Sequence, residues 1–179
     1  MTRRPTRWLG MPLGAILLLA LATGVAGSQV RNFVTPLSGA EEIPANDSRA
    51  RGTAIFQLSP DGTELSYRLI ASNIENVHMA HIHMGPPDLN SGIVVWLFPS
   101  TAVGPGPLGS GRHDGVLATG TITAANLVGA LAGQPLSALI EAIDSGNAYV
   151  NVHTNDGIEP MNTGPGDLQG GEIRGHLDH

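Results

Sequence analysis

Past residue 30 the chain is a series of short runs in which apolar and polar side chains alternate. They fall at 32–37, 52–58, 64–71, 77–84, 93–98, 115–122, 148–153 and 172–177. A period of two is the signature of a β-strand with one face turned to a core. Asp61-Gly62, with polar neighbours, reads as the hairpin that pairs the second run with the third. The period changes to helical at two places. Thr123 is placed to cap a short helix reaching about Gly129, and Pro135 opens a second that carries Leu136, Leu139, Ile140 and Ile143 on one side and stops at Gly146. Both fall in one connection, where they fit a lid over an end or an open edge of the sheet. The pattern is that of a sandwich or a barrel, and the expected fold class is all-β with minor helix, an antiparallel Greek-key β-sandwich with one or two short helices in a crossover connection.

Three stretches, 85–92, 99–115 and 154–171, are rich in glycine and proline and read as surface loops. Two of them directly follow strands that carry histidines, so they are placed to wall a site. Only 4% of the 179 residues are aromatic against 41% hydrophobic in all, so the core must be mostly aliphatic.

The first residues belong to a different class of segment. Arg3, Arg4 and Arg7 precede an apolar stretch from Met11 to Ala22, and small residues lead to Val25-Ala26-Gly27. This is the layout of a secretory signal peptide over 1–27, ahead of one domain over 28–179. The apolar stretch is shorter than the ~20 residues of a membrane span. The expectation is an exported protein, periplasmic or secreted, without stable membrane insertion once the signal is cleaved. Cleavage removes three of nine arginines and none of the fifteen acids, and the chain has no lysine. So acidic a surface disfavours nucleic acid as a partner, because phosphate neutralisation needs clustered cations. An extracellular protein or a small ligand is the expected partner. The absence of cysteine excludes disulfides, thiolate metal sites and lipid attachment at a cysteine.

Chemistry concentrates on three of the strands. In Val77-His78-Met79-Ala80-His81-Ile82-His83-Met84, His81 and His83 share one face while Ala80, Ile82 and Met84 take the other. Their backbones lie about 6.5–7 Å apart, close enough for both imidazoles to lean onto one cation. In 148–154, Tyr149, Asn151 and His153 share a face opposite Val150 and Val152. In 172–177, Glu172, Arg174 and His176 share a face opposite Ile173, Gly175 and Leu177. Should these strands be neighbours, their polar faces join into one patch. His81, His83 and His153 are then the candidate metal ligands, copper or zinc being suited to imidazole. Arg174, Asn151, Glu172 and His176 are candidates for anion binding or for supporting the ligands. The bland alternative for the patch is a solvated strand face, and for Arg174 an ion pair with Glu172 or another acid. His78 has the wrong parity unless a bulge intervenes, His113 falls in a loop, and His179 is terminal. Glu41 and Glu42, before Pro44, read as a turn with solvated carboxylates. No phosphate-binding glycine loop, nucleophile elbow or Ser/His/Asp arrangement is present, which disfavours ordinary hydrolase chemistry.

The segments 37–44 (LSGAEEIP), 52–58, 80–83 (AHIH), 149–154 (YVNVHT) and 171–175 (GEIRG) together resemble the CHRD domain, a family found in many exported microbial proteins. The resemblance spans nearly all of 28–179 and implies a binding module rather than an enzyme. A more distant similarity is to copper-zinc superoxide dismutases, which present a His-x-His strand, a later Val-His strand and a terminal arginine in the same order. It implies copper ligands at His81, His83 and His153 and an anion-guiding role for Arg174. It also frames the sandwich as superoxide-dismutase-like or immunoglobulin-like. The bridging histidine, the zinc ligands and the disulfide cysteines of those enzymes have no counterpart here. Three functions follow: a metal-holding binding module, a copper-dependent redox protein, or a structural or adhesive envelope module without a metal.

Overall fold

The computed structural model describes residue 1 and residues 30–101 and 104–177. The signal-peptide expectation over 1–27 and His179 lie outside the described residues. Eight antiparallel strands form one sheet: β1 (Arg31–Ser38), β2 (Arg51–Leu58), β3 (Leu65–Glu75), β4 (Val77–Met84), β5 (Ile93–Phe98), β6 (Arg112–Ile122), β7 (Ala148–Thr154) and β8 (Ile173–His176). Their spatial order is β5-β4-β7-β8-β1-β2-β3-β6.

The sheet curls until its two edges meet. β5 lies against β6, and across that seam the Tyr67 hydroxyl on β3 donates to the Leu97 carbonyl on β5 at 2.6 Å. With the seam counted, β7 returns beside β4 while β5 and β6 follow on β4's other side, a Greek-key order. The two layers of the expected sandwich are thus the halves of one curled sheet, and the all-β class with minor helix holds.

The reason these residues form these strands is visible in the burial. On β3, Leu65, Tyr67, Leu69 and Ala71 are buried while Ser66 and Arg68 are exposed. β1 and β2 pair along their whole length and turn Phe33, Leu37, Ala54, Phe56 and Leu58 to the same interior. Ala80 and Ile82 of β4, Val150 and Val152 of β7, and Ile173 of β8 complete it. The β2–β3 turn forms around Asp61, whose carboxylate accepts from the Ser59 hydroxyl and from the Thr63 backbone and hydroxyl, with Gly62 at φ 73°.

The first expected helix is shorter than its pattern suggested. Thr123 and Asn126 do form a reciprocal cap, but it closes only a 3-10 turn over Ala124–Asn126, followed by another at Gly129–Leu131. The second helix, α1 (Leu136–Asp144), starts after Pro135 and stops before Gly146 at φ 69°, in the left-handed region glycine tolerates. Its Leu136, Leu139, Ile140 and Ile143 join the core, and Asp144 pairs with Arg31 at the start of β1. That places α1 at the barrel end where β1 begins and β2 finishes. β6 starts earlier than its pattern implied, so His113 lies on a strand rather than in a loop.

Candidate metal centre

Register decides which side chains meet. β4 pairs with β7 so that His81 faces Asn151 and His83 faces Tyr149, while Met79 faces His153. β7 pairs with β8 so that Asn151 faces Arg174 and Tyr149 faces His176. All of these lie on the face turned away from the barrel interior, since Ala80, Ile82, Val150 and Val152 occupy the other. The alternation therefore delivers His81, His83 and His153 to one place. One ring nitrogen from each lies within 4.8 Å of the other two. The ring centroids are 5.5 Å apart for His81 and His83, 5.0 Å for His81 and His153, and 6.0 Å for His83 and His153.

This polar face is not solvated. His81 and Arg174 are 0% exposed, Asn151 2%, His153 6% and His83 7%, and β7 is buried over its whole length. The alternative reading of these positions as a solvated strand face is overturned: the three glycine- and proline-rich loops fold back over them, two of them from the strands they were placed to wall. The 85–92 loop covers His83, the 155–171 loop covers His153, and the loop before β6 lies on His78, where the Gly106 N–H donates to the His78 carbonyl at 2.6 Å.

Those loops also fix the rings. His83 Nδ1 bonds the Ser91 carbonyl at 2.8 Å and His153 Nδ1 bonds the Gln169 carbonyl at 2.8 Å. A carbonyl only accepts, so each Nδ1 carries the proton and each Nε2 presents a lone pair. Both Nε2 atoms, and both ring nitrogens of His81, are buried with no hydrogen-bond partner among the described residues. His83 stacks on Tyr149 at 4.8 Å, with ring planes 2° apart, and the Tyr149 hydroxyl accepts from the Ser91 N–H at 2.8 Å. His81 stands edge-on to Trp96 of β5 at 4.3 Å. Gly85 allows the 85–92 loop to close, because a Cβ there would collide with the Ser91 side chain.

Burial also sets the charge state. It pushes His81 down to about 2, with the neighbouring His153, His83 and His78 acting in the same sense. His153 falls to about 4, again through burial, against the opposing bond to Gln169. His83 is lowered by burial, partly offset by Ser91. The rings are neutral near pH 7, which is the form that binds a metal.

The remaining candidates surround the histidines. The Arg174 guanidinium donates to the Asn90 side-chain oxygen at 2.9 Å, to the Pro87 and Leu89 carbonyls at 3.2 and 3.0 Å, and to His176 Nε2 at 3.2 Å, and it lies 3.5 Å over the Tyr149 ring. Its donors hold the loop that orients His83. It forms no ion pair with Glu172; the ion pairs among the described residues are Arg31–Asp144 and Arg112–Asp114. Glu172 instead accepts from the Ser48 hydroxyl at 2.6 Å, the Thr154 hydroxyl at 2.7 Å and the Gly166 N–H at 2.8 Å, tying β8 to two loops.

Asn151 donates to Glu42 at 3.3 Å. Glu42 is 6% exposed, so its reading as a solvated turn carboxylate is overturned. Burial raises it to about 8, with the charge of Arg174 and the Asn151 bond opposing and Glu172 adding to the rise. Gly171 permits this approach, since a Cβ there would come within 2.6 Å of Glu42 and 2.5 Å of Asn151. Nothing in the period of residues 38–46 distinguishes Glu42 from Glu41. Trp96, and the carbonyls of Ser91 and Gln169, carried no sequence signal at all.

The fold and this cluster define a class: a Greek-key β-barrel with a loop-roofed, buried triad of histidines on one outer face. Within it the family model for the CHRD domain matches residues 33–177, and the chain belongs to that family. No curated protein and no solved structure matches the chain. Among the described residues no helix is long and apolar enough to cross a membrane.

Proposed function

We propose that this CHRD-domain protein is an exported binding module that holds a transition metal, copper or zinc, on His81, His83 and His153. The observation that carries the reading is the pair of oriented nitrogens. His83 and His153 each commit Nδ1 to a main-chain carbonyl and keep a buried, unpartnered Nε2, and one ring nitrogen of each lies within 4.8 Å of the other and of one on His81. A buried polar atom without a partner costs on the order of 1–3 kcal/mol. Four such nitrogens on three adjoining rings are a cost that apolar side chains would avoid and a ligand would offset. Backbone carbonyls on the far nitrogen are also the usual way a protein orients a metal-binding imidazole.

Metal–nitrogen bonds of about 2.0–2.1 Å around a tetrahedral ion set the nitrogens roughly 3.4 Å apart. Capture therefore draws the present cluster together by little more than an ångström, and His81, with no hydrogen bond on its ring, is the side chain able to move. Imidazole suits copper and zinc alike. Export rests on Arg3, Arg4, Arg7 and the apolar stretch behind them. With Arg174 occupied by the 85–92 loop, the arrangement favours holding a metal over steering an anion to one.

The test is calorimetric titration of untagged protein with Cu(II) and with Zn(II). One equivalent binding more tightly than about micromolar, and lost in the His81→Ala/His153→Ala double variant, is the expected result. No uptake by the wild type leaves a structural or adhesive module.

A further inference from the structure

β4 is not regular along its length. Its register with β7 slips between Val77 and Met79: Val77 faces Thr154, yet Met79, two residues on, faces His153, the very next position. One residue of β4 is therefore extra, and it is His78. In such a bulge two successive side chains lean to one side of the sheet. Val77 keeps its place in the barrel core and Met79 keeps the parity of His81, so the inserted His78 falls between them, at the level of the ladder where β4 meets His153 of β7. The ring is 5% exposed, and neither of its nitrogens has a hydrogen-bond partner among the described residues. A positive charge on His78 acts on both His81 and His153, which sets it within electrostatic reach of two of the three ligands. The loop ahead of β6 is pinned over it by the Gly106 N–H on the His78 carbonyl and the Ser110 hydroxyl on the Val77 carbonyl.

We propose that His78 is the fourth ligand of the metal, so that the centre is a closed four-imidazole site. This rests on the three-histidine reading above and adds to it. Three imidazoles leave a tetrahedral ion one open position, where water or an anion binds and chemistry becomes possible. A fourth imidazole from the bulge fills that position and makes the protein a holder of the ion. His78 lies outside the group of nitrogens within 4.8 Å of one another, so its ring turns inward when the ion arrives. No hydrogen bond on the ring opposes that turn.

The experiment counts imidazoles on Cu(II)-loaded, untagged full-length protein by X-ray absorption and pulsed electron paramagnetic resonance. Co(II)-loaded protein, whose ion takes the tetrahedral geometry of zinc, is then titrated with azide as a probe of an open position, read in its visible spectrum. The wild type is expected to show four imidazoles and no response to azide. His78→Leu, and His78→Gln as a second variant should the first not fold, is expected to show three, to respond to azide, and to bind copper tenfold or more weakly. Three imidazoles and an azide response in the wild type overturn the role of His78 whatever the variants do, while the three-histidine centre stands. A wild type that takes up no copper overturns both.

Discussion

The two halves of the barrel wall are built from the same alternating pattern and end in opposite environments. On β1, β2 and β3, polar positions such as Asn32, Gln57, Ser66 and Arg68 face solvent, as one-sided sheets normally do. On β4, β7 and β8, the equivalent positions are His81, His83, Asn151, His153 and Arg174, and all are buried. The difference lies outside the strands. The loops after β4 and β7 turn back across the outer face of β4, β7 and β8, and the β1–β2 connection joins them there by bringing Glu42 to Asn151 and Ser48 to Glu172, while the polar positions of β1–β3 stay exposed. A polar strand face under a roof must satisfy its hydrogen-bonding groups internally. This one does so for Glu172 and for the terminal nitrogens of Arg174, but leaves Arg174 Nε and several imidazole nitrogens unpaired.

The sharpest way to break the contrast is to truncate the arginine in each half. Arg174→Ala removes four hydrogen bonds and the stack on Tyr149, and strands the Pro87 and Leu89 carbonyls. It should cost on the order of 3–5 kcal/mol in denaturant unfolding. Arg68→Ala, on the open half, should stay within about 0.5 kcal/mol. Equal effects would mean that the roof carries no such weight.

The next effect is on ligand binding. His83→Ala should weaken metal binding by on the order of 100-fold, about 2.7 kcal/mol, in calorimetry. Ser66→Ala and Gln57→Ala should leave it unchanged.

A smaller effect is read through pH, and the two kinds of buried group pull in opposite senses. The histidine pKa values are depressed in the folded state, so their contribution is fully present above the ordinary value of 6.5. It is lost as pH falls from there toward about 4 for His153 and about 2 for His81. Metal-free protein should therefore lose melting temperature as pH falls below 6.5. Glu42 is raised, so its contribution is present below 4.5 and lost as pH climbs toward about 8. Glu42→Gln should stabilise by on the order of 1–3 kcal/mol at pH 8.5 and hardly at all at pH 4.5.

The smallest effect is spectroscopic. Nitrogen NMR of metal-free protein at pH 7 should find His83 and His153 as the Nδ1–H tautomer, set by Ser91 and Gln169. An Nε2–H form at either would contradict the orientation of the site.

How far the sequence carried these features follows from the same contrast. Parity alone placed His81, His83 and His153 on one face, because alternation is a local property of the backbone. The apolar partners Ala80, Ile82, Val150 and Val152 marked the core side just as directly. Burial of the polar face was not legible, since it depends on where 85–92 and 155–171 fold, and those loops have no period to read. The bulge at His78 could be named from the sequence only as a condition, because an inserted residue looks like a break in alternation; the register with β7 is what locates it. Glu42 was hidden because its burial is made by Gly171, well over a hundred residues away, through the absence of a side chain.

The most direct test is a crystal structure of the protein soaked in Zn(II), with anomalous data collected on either side of the zinc edge. The account predicts one strong peak bound at about 2.0–2.2 Å to Nε2 of His83, Nε2 of His153 and a ring nitrogen of His81. Full occupancy elsewhere on the surface, with these three imidazoles left as they stand, would contradict it.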